Sequence, residues 1–231
     1  MSWLTAALLA FSQPALRDAP LCCGAPRACA AMSSSLISLS EVHQAAHGLG
    51  CTLEVKAIGP AYKVELWWRE PPGGEAAELV GVSDGFSQPT GVVHLESIQV
   101  RRFTGYYDLS RSSRKRYKSL MRAEEGGLGI LLSVAVGCWI RERCPFGCKR
   151  AQLLAIKDEP KQHATLVRYY RRLGFKPLRE VENGPLKDAL DLIAWGGEGT
   201  LMELTVDDFV AKWGPLVRRM GRHKQDQMAV S

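Results

Sequence analysis

Three groups of residues have types and spacing that could do chemistry. Gly126-Gly127-Leu128-Gly129 stands directly before the apolar run Ile130 to Ile140. Glycines at a helix start let a ligand approach the backbone closely, and the unpaired amides of the first turn attract anions, so this segment reads as a pyrophosphate cradle. Upstream, Glu96 lies in the run Val92 to Val100, where period-two alternation places His94, Glu96, Ile98 and Val100 on one face and Val93, Leu95, Ser97 and Gln99 on the other. Glu96 is thus a carboxylate in a largely apolar row. Downstream, Tyr169-Tyr170-Arg171-Arg172-Leu173-Gly174-Phe175 sets a tyrosine hydroxyl one turn before a glycine stop.

Two other pairs suggest metal chemistry and fall short of it. Cys144-Pro145-Phe146-Gly147-Cys148 could be half a zinc site, but no second pair of Cys or His ligands follows at zinc-finger spacing. His43 and His47 sit one helical turn apart, yet Gln44-Ala45-Ala46 lacks the glutamate of a zinc-protease helix. No metal is expected. The seven cysteines are irregularly spaced, with Cys22, Cys23 and Cys29 near the start, and do not suggest a disulfide framework.

The elements that must position these residues follow from periodicity and turn chemistry. Ser40 reads as the N-cap of a helix that stops at Gly48 or Gly50. Strands are predicted over Cys51 to Ile58, Tyr62 to Glu70, Glu78 to Phe86 and Val92 to Val100, with Pro71-Pro72-Gly73-Gly74 and Gln88-Pro89-Thr90-Gly91 between them. Short loops make these strands antiparallel neighbours. A helix over Leu128 to Arg143 leads to a strand at Arg150 to Ile156, so strand, helix and strand form a parallel right-handed crossover. A helix from Gln162 to Leu173 stops at Gly174 and passes into a strand at Phe175 to Val181. Ala189 to Trp195 reads as the last strand, and Val206 to Met220 as a terminal helix capped by Thr205 and broken at Gly214-Pro215.

The whole-chain numbers fit one globular domain. The chain has 231 residues, 46% of them hydrophobic and 23% charged, enough for one domain with a full core. The longest apolar run, Ile130 to Ile140, falls short of the roughly 20 residues that span a bilayer, so no membrane span is expected. The formal charge of +6 is concentrated: between Arg101 and Arg122 eight cations face Asp108 alone, and the remainder is near neutral. Phe103, Tyr106 and Tyr107 interleave with these cations, which suits phosphate, an acidic substrate or nucleic acid, while a charge run is more often a solvated surface loop. Residues 1–31 are rich in Ala, Ser, Leu and Cys and poor in acids, the composition of an organelle transit peptide, with plastid favoured over mitochondrion. The expected organisation is therefore a presequence over 1–31, one domain over 32–221 carrying a basic insertion at 101–123, and a polar tail over 222–231.

Taken together, these motifs resemble the GNAT superfamily of acetyl-CoA-dependent N-acetyltransferases, here of a plant or algal plastid type. Its glycine loop, Arg/Gln-x-x-Gly-x-Gly/Ala, is matched in frame by Glu124-Glu125-Gly126-Gly127-Leu128-Gly129. Its Tyr-x-x-x-Gly-Phe pattern is matched by Tyr170 to Phe175, with the strand at Gln152 to Ile156 between. The match is best from Val92 to Val181. A Rossmann reading is poorer, because Leu132 stands where a third glycine is expected, and no Gly-Lys-Ser/Thr of a P-loop follows.

The resemblance implies an α/β fold with a central mixed, largely antiparallel sheet of about seven strands, helices on both faces and one parallel crossover. It implies acetyl-CoA as co-substrate and an amine-bearing acceptor, either a protein lysine or N-terminus or a small amine. Gly127, Leu128, Gly129 and Ile130 would give amides to the pyrophosphate, and Ile98 and Val100 would pair their backbone with the pantetheine where the fourth and fifth strands splay. Glu96 would be the base, made more basic by half-burial, and Tyr170 would protonate the leaving thiolate. His163 stands where the family often has an asparagine touching the cofactor. Glu124 and Glu125 depart from the family pattern, since two carboxylates beside a phosphate site repel it unless paired. They favour a rival reading, a GNAT-like interaction module that uses the basic insertion to bind an acidic partner or RNA.

Overall fold

The computed structural model describes residues 36–69, 77–100, 127–182, 195 and 197–222. The presequence, the Pro71 to Gly74 turn, the basic insertion, Glu124, Glu125 and Gly126, and the polar tail beyond 222 lie outside the described residues. In chain order the elements are α1 (Leu39–Gly48), β1 (Cys51–Ile58), β2 (Ala61–Trp68), β3 (Glu78–Gln88), β4 (Val92–Val100), α2 (Gly127–Arg143), β5 (Arg150–Ile156), α3 (Pro160–Leu173), β6 (Lys176–Val181), β7 (Gly199–Thr205) and α4 (Val206–Arg222). The strands form one seven-stranded sheet in the order β1-β2-β3-β4-β5-β7-β6. Only β4 and β5 run parallel; the other neighbours are antiparallel. This is the mixed α/β sheet with one strand–helix–strand crossover that the sequence predicts.

The core forms where apolar faces meet. α2 buries Leu128, Ile130, Leu131, Leu132, Val134, Ala135, Val136, Cys138, Trp139 and Ile140, so it is apolar on nearly every side. Such a helix belongs in the middle of a domain, covered by other elements as well as by the sheet. α4 packs on it closely enough that a Cβ at Gly137 would lie 2.9 Å from Val210 Cγ2.

Several boundaries differ from the sequence reading for identifiable reasons. α1 begins at Leu39 with Ser38 as N-cap, not Ser40. The Ser38 hydroxyl accepts the Glu41 N–H at 3.2 Å and the Glu41 carboxylate accepts the Ser38 N–H at 2.9 Å, a reciprocal capping box. α3 begins at Pro160, whose missing N–H costs nothing in a first turn. α4 runs unbroken through Pro215, held by packing so close that a Cβ at Gly214 would sit 2.8 Å from Ile37 Cγ2. The last strand is Gly199–Thr205, whereas Trp195 is helical. Lying between β5 and β6, β7 buries Thr200, Leu201, Met202 and Leu204, so it lacks the alternation that marks a one-sided strand.

The β3–β4 register carries the largest correction. Asp84 pairs with Ser97 but Gly85 pairs with Leu95, which leaves Glu96 as an extra residue in a β-bulge. A Cβ at position 85 would lie 2.1 Å from the His94 carbonyl oxygen, so the bulge requires glycine opposite it. Directly opposed residues share a face, and the bulge resets the alternation. Leu95 and Val93 therefore share the α2 face with Ile98 and Val100, while His94 and Ser97 lie on the other.

Candidate functional site

Strands β4 and β5 pair at three positions only, Val92 with Arg150, Val93 with Ala151 and His94 with Gln152. Beyond His94 the two strands part. From Leu95 to Val100, β4 keeps its partner β3 but meets no strand on its other edge among the described residues. An unpaired strand edge is a row of backbone donors and acceptors that an extended ligand can use. The parting begins at the bulge, which twists and bends the strand that carries it.

The wedge between the separating strands is a cavity of about 80 Å³. Leu95, Glu96, Ser97 and Ile98 of β4 line one side, Leu153 and Leu154 of β5 the other, Ser133 and Gly137 of α2 the back, and Tyr170 and Leu173 of α3 the far wall. Glu96, Ile98 and Tyr170, predicted from separate stretches of sequence, thus face one space. Val100 and Gly129 adjoin each other at the end of the wedge, where a Cβ on Gly129 would meet Val100 Cγ2 at 3.8 Å. The first turn of α2, Gly127-Leu128-Gly129-Ile130, carries no acidic side chain. The backbone amides of this turn have no partner within the helix, while the Leu128 and Ile130 side chains are buried.

Tyr170 packs edge-on against Phe175, with ring centroids 5.7 Å apart, and beside Tyr169 at 5.5 Å. Burial, with a smaller contribution from Tyr169, pushes its phenol up to about 12. It therefore keeps its proton at neutral pH and has one to donate. Glu96 is exposed, contrary to the half-burial that strict alternation predicts, because the bulge turns it out of the row.

His163 lies on α3, between β5 and β7. Its Nδ1 lies 3.3 Å from the Ile156 carbonyl oxygen and its Nε2 3.1 Å from Thr200 Oγ1, which in turn donates to Glu180 Oε1 at 2.8 Å. These contacts tie α3 to β5 and β7.

Sequence reasoning missed a polar group beneath the wedge. The buried Ser83 hydroxyl donates to the Ser97 carbonyl at 2.9 Å, and the Ser97 hydroxyl donates to Asp84 Oδ1. The Tyr62 hydroxyl is buried beside Ser83, and burial raises its pKa. Ser97 is thirteen residues from Asp84, and their contact exists only through the register; no local spacing signals it. His94, on the opposite face, stacks between Trp195 at 3.6 Å and Phe86 at 4.7 Å, and burial lowers its pKa to about 4.

No protein-family model matches the chain, and no curated protein matches it. Among solved structures it is similar to the crystal structure of Arabidopsis thaliana NAA60 in complex with a bisubstrate analogue. The identity is 16%, the match covers 64% of this chain and 77% of that one, and the TM-score is 0.38. A likeness this loose carries no argument about activity, which must come from the site itself. Among the described residues no helix is long and apolar enough to cross a membrane.

Proposed function

We propose that the chain is a GNAT-type N-acetyltransferase that moves the acetyl group of acetyl-CoA directly to an amine. The observation that supports this best is the parting of β4 and β5 over a cavity lined by both Glu96 and Tyr170, with the glycine-started helix α2 lining it further along at Ser133 and Gly137. Acetyl-CoA brings a pyrophosphate, an extended pantetheine arm and a thioester. In this reading the first turn of α2 takes the pyrophosphate, the free edge of β4 around Ile98 and Val100 takes the pantetheine, and the thioester reaches the cavity. His163, on the same helix as Tyr170, is the further candidate for a polar contact with the cofactor.

In the transfer, the neutral amine attacks the thioester carbonyl, a C–N bond forms and the C–S bond breaks. Glu96 takes the amine proton, directly or through water, and solvent access lets it pass the proton on. Tyr170 gives its proton to the departing thiolate, or holds it by a hydrogen bond. Ser97 lines the same cavity, but its hydroxyl hydrogen is committed to Asp84, so direct transfer is preferred to an acyl-serine route. The acceptor is a protein lysine, a protein N-terminus or a small amine, and the composition of residues 1–31 favours a plastid location, with the mitochondrion as the alternative.

Acetyl-CoA binding tests the reading. At about a hundred times its Kd, a ligand of the folded state adds roughly 2.7 kcal/mol of stability, which appears as a raised melting temperature. No shift with acetyl-CoA or a longer acyl-CoA, together with salt-sensitive RNA binding lost on shortening 101–123, would instead assign the chain to a non-catalytic interaction role.

A further inference from the structure

Cys144 and Cys148 flank Pro145-Phe146-Gly147 between α2 and β5. Proline suits the first corner of a β-turn, and Gly147 adopts φ 58° while its N–H donates to the Cys144 carbonyl at 3.2 Å. The turn folds the chain back and brings the two cysteines close enough for each thiol to perturb the other. Both cysteines are free.

The two sulfurs are not equivalent. Cys144 is partly exposed, whereas Cys148 is buried with its Sγ 3.7 Å from the Gln88 carbonyl oxygen. Burial disfavours the Cys144 thiolate, but hydrogen bonds from the Cys148 backbone and thiol, the Phe146 backbone and Ser87 outweigh it and bring the thiol below its ordinary range. Burial, and then the neighbouring Cys144, push Cys148 up to about 11. A partly exposed cysteine beside a buried one across a tight turn is the arrangement of an attacking and a resolving cysteine. By contrast, Cys138 is fully buried, donates to the Ile37 carbonyl at 3.3 Å and is raised to about 12 by burial.

We propose that Cys144 and Cys148 are a redox-active dithiol, in which Cys144 exchanges with a small-molecule disulfide such as oxidised glutathione and Cys148 resolves the adduct to an intramolecular disulfide. The Cys144 thiolate attacks one sulfur of the oxidant, forming a mixed disulfide and expelling one monothiol. Cys148 then attacks Cys144 Sγ and expels the second. The two cysteine protons pass to the two released thiolates; the protein loses two electrons and the oxidant gains them. The pair sits at the closed end of the wedge, where Lys149 N–H donates to the Gly91 carbonyl and β5 begins beside Val92. The proposal therefore stands apart from the transferase reading.

The test uses the full chain equilibrated with mixtures of reduced and oxidised glutathione, then acid-quenched, alkylated and cut with trypsin. Cleavage after Arg143 and Lys149 puts both cysteines, and no other, in one peptide. With rising oxidant, that peptide should convert to an unalkylated form two hydrogens lighter, and dithiothreitol should reverse it. Cys148→Ser should accumulate a glutathione adduct on Cys144, at least roughly tenfold more than Cys144→Ser accumulates on Cys148. A wild-type peptide that stays doubly alkylated throughout, a link from either cysteine to another part of the chain, or equal adducts in the two variants would overturn the assignment.

Discussion

In the proposed transfer Glu96 and Tyr170 divide the proton movements between an exposed carboxylate and a phenol held at about 12, and each should be dispensable to the fold and costly to the chemistry. General acid or base catalysis contributes roughly 10²-fold or more, so Glu96→Gln and Tyr170→Phe should each slow single-turnover acetyl transfer by that order while leaving acetyl-CoA affinity nearly unchanged. Unchanged rates in both would remove the site assignment. His94 gives a test of stability at the same scale. Unfolded imidazole takes a proton near 6.5, whereas buried His94 holds out to about 4, so acid favours the unfolded chain across that window. Urea denaturation should show wild-type stability falling more than that of His94→Phe between pH 6.5 and 4, with the difference constant below. The elements that carry Glu96 and Tyr170 were legible because each residue lies in a local pattern, one in a strand and one before a glycine stop. The facing of Glu96 was not, because it depends on Gly85 in another strand, and neither was the Ser97–Asp84 contact.

Elements were legible where one face is buried and the ends are chemically marked. β1, β4 and β5 occupy the predicted residues, whereas the start of α1 was misplaced by two residues because Ser38 and Ser40 are equally good caps until Glu41 is seen to close the box with Ser38. That carboxylate does a second job. Glu41 also accepts from Arg218 Nε at 2.8 Å and so joins α1 to α4, and the Arg218 hydrogen bond is the main reason its pKa falls to about 2. A depressed carboxylate stabilises the fold above its unfolded pKa near 4.5 and loses that contribution as pH falls toward 2. Glu41→Gln should therefore be less stable than wild type at neutral pH, with the gap closing between pH 4.5 and 2. Because the pair is partly exposed, the neutral-pH gap should also shrink in high salt.

At the scale of the molecule, the order of elements and the single parallel pair followed from connection lengths: tight turns join β1 to β2 and β3 to β4, and a helix joins β4 to β5. The identity of β7 did not follow, since a strand with neighbours on both edges and burial on both faces has no period to read. The bulge at Glu96 divides β4 into two halves with different duties. Residues 92–94 are sheet interior, fastened on both sides; residues 95–100 are fastened on one. An arm laid along the second half would finish the sheet, converting an edge into an interior strand. Amide hydrogen exchange should register this directly, with some of the backbone N–H groups of Leu95 to Val100 slowing when acetyl-CoA binds and those of Val92 to His94 unaffected. On this view the ligand is the sheet's missing length of strand, and its release leaves the same backbone open for the next molecule.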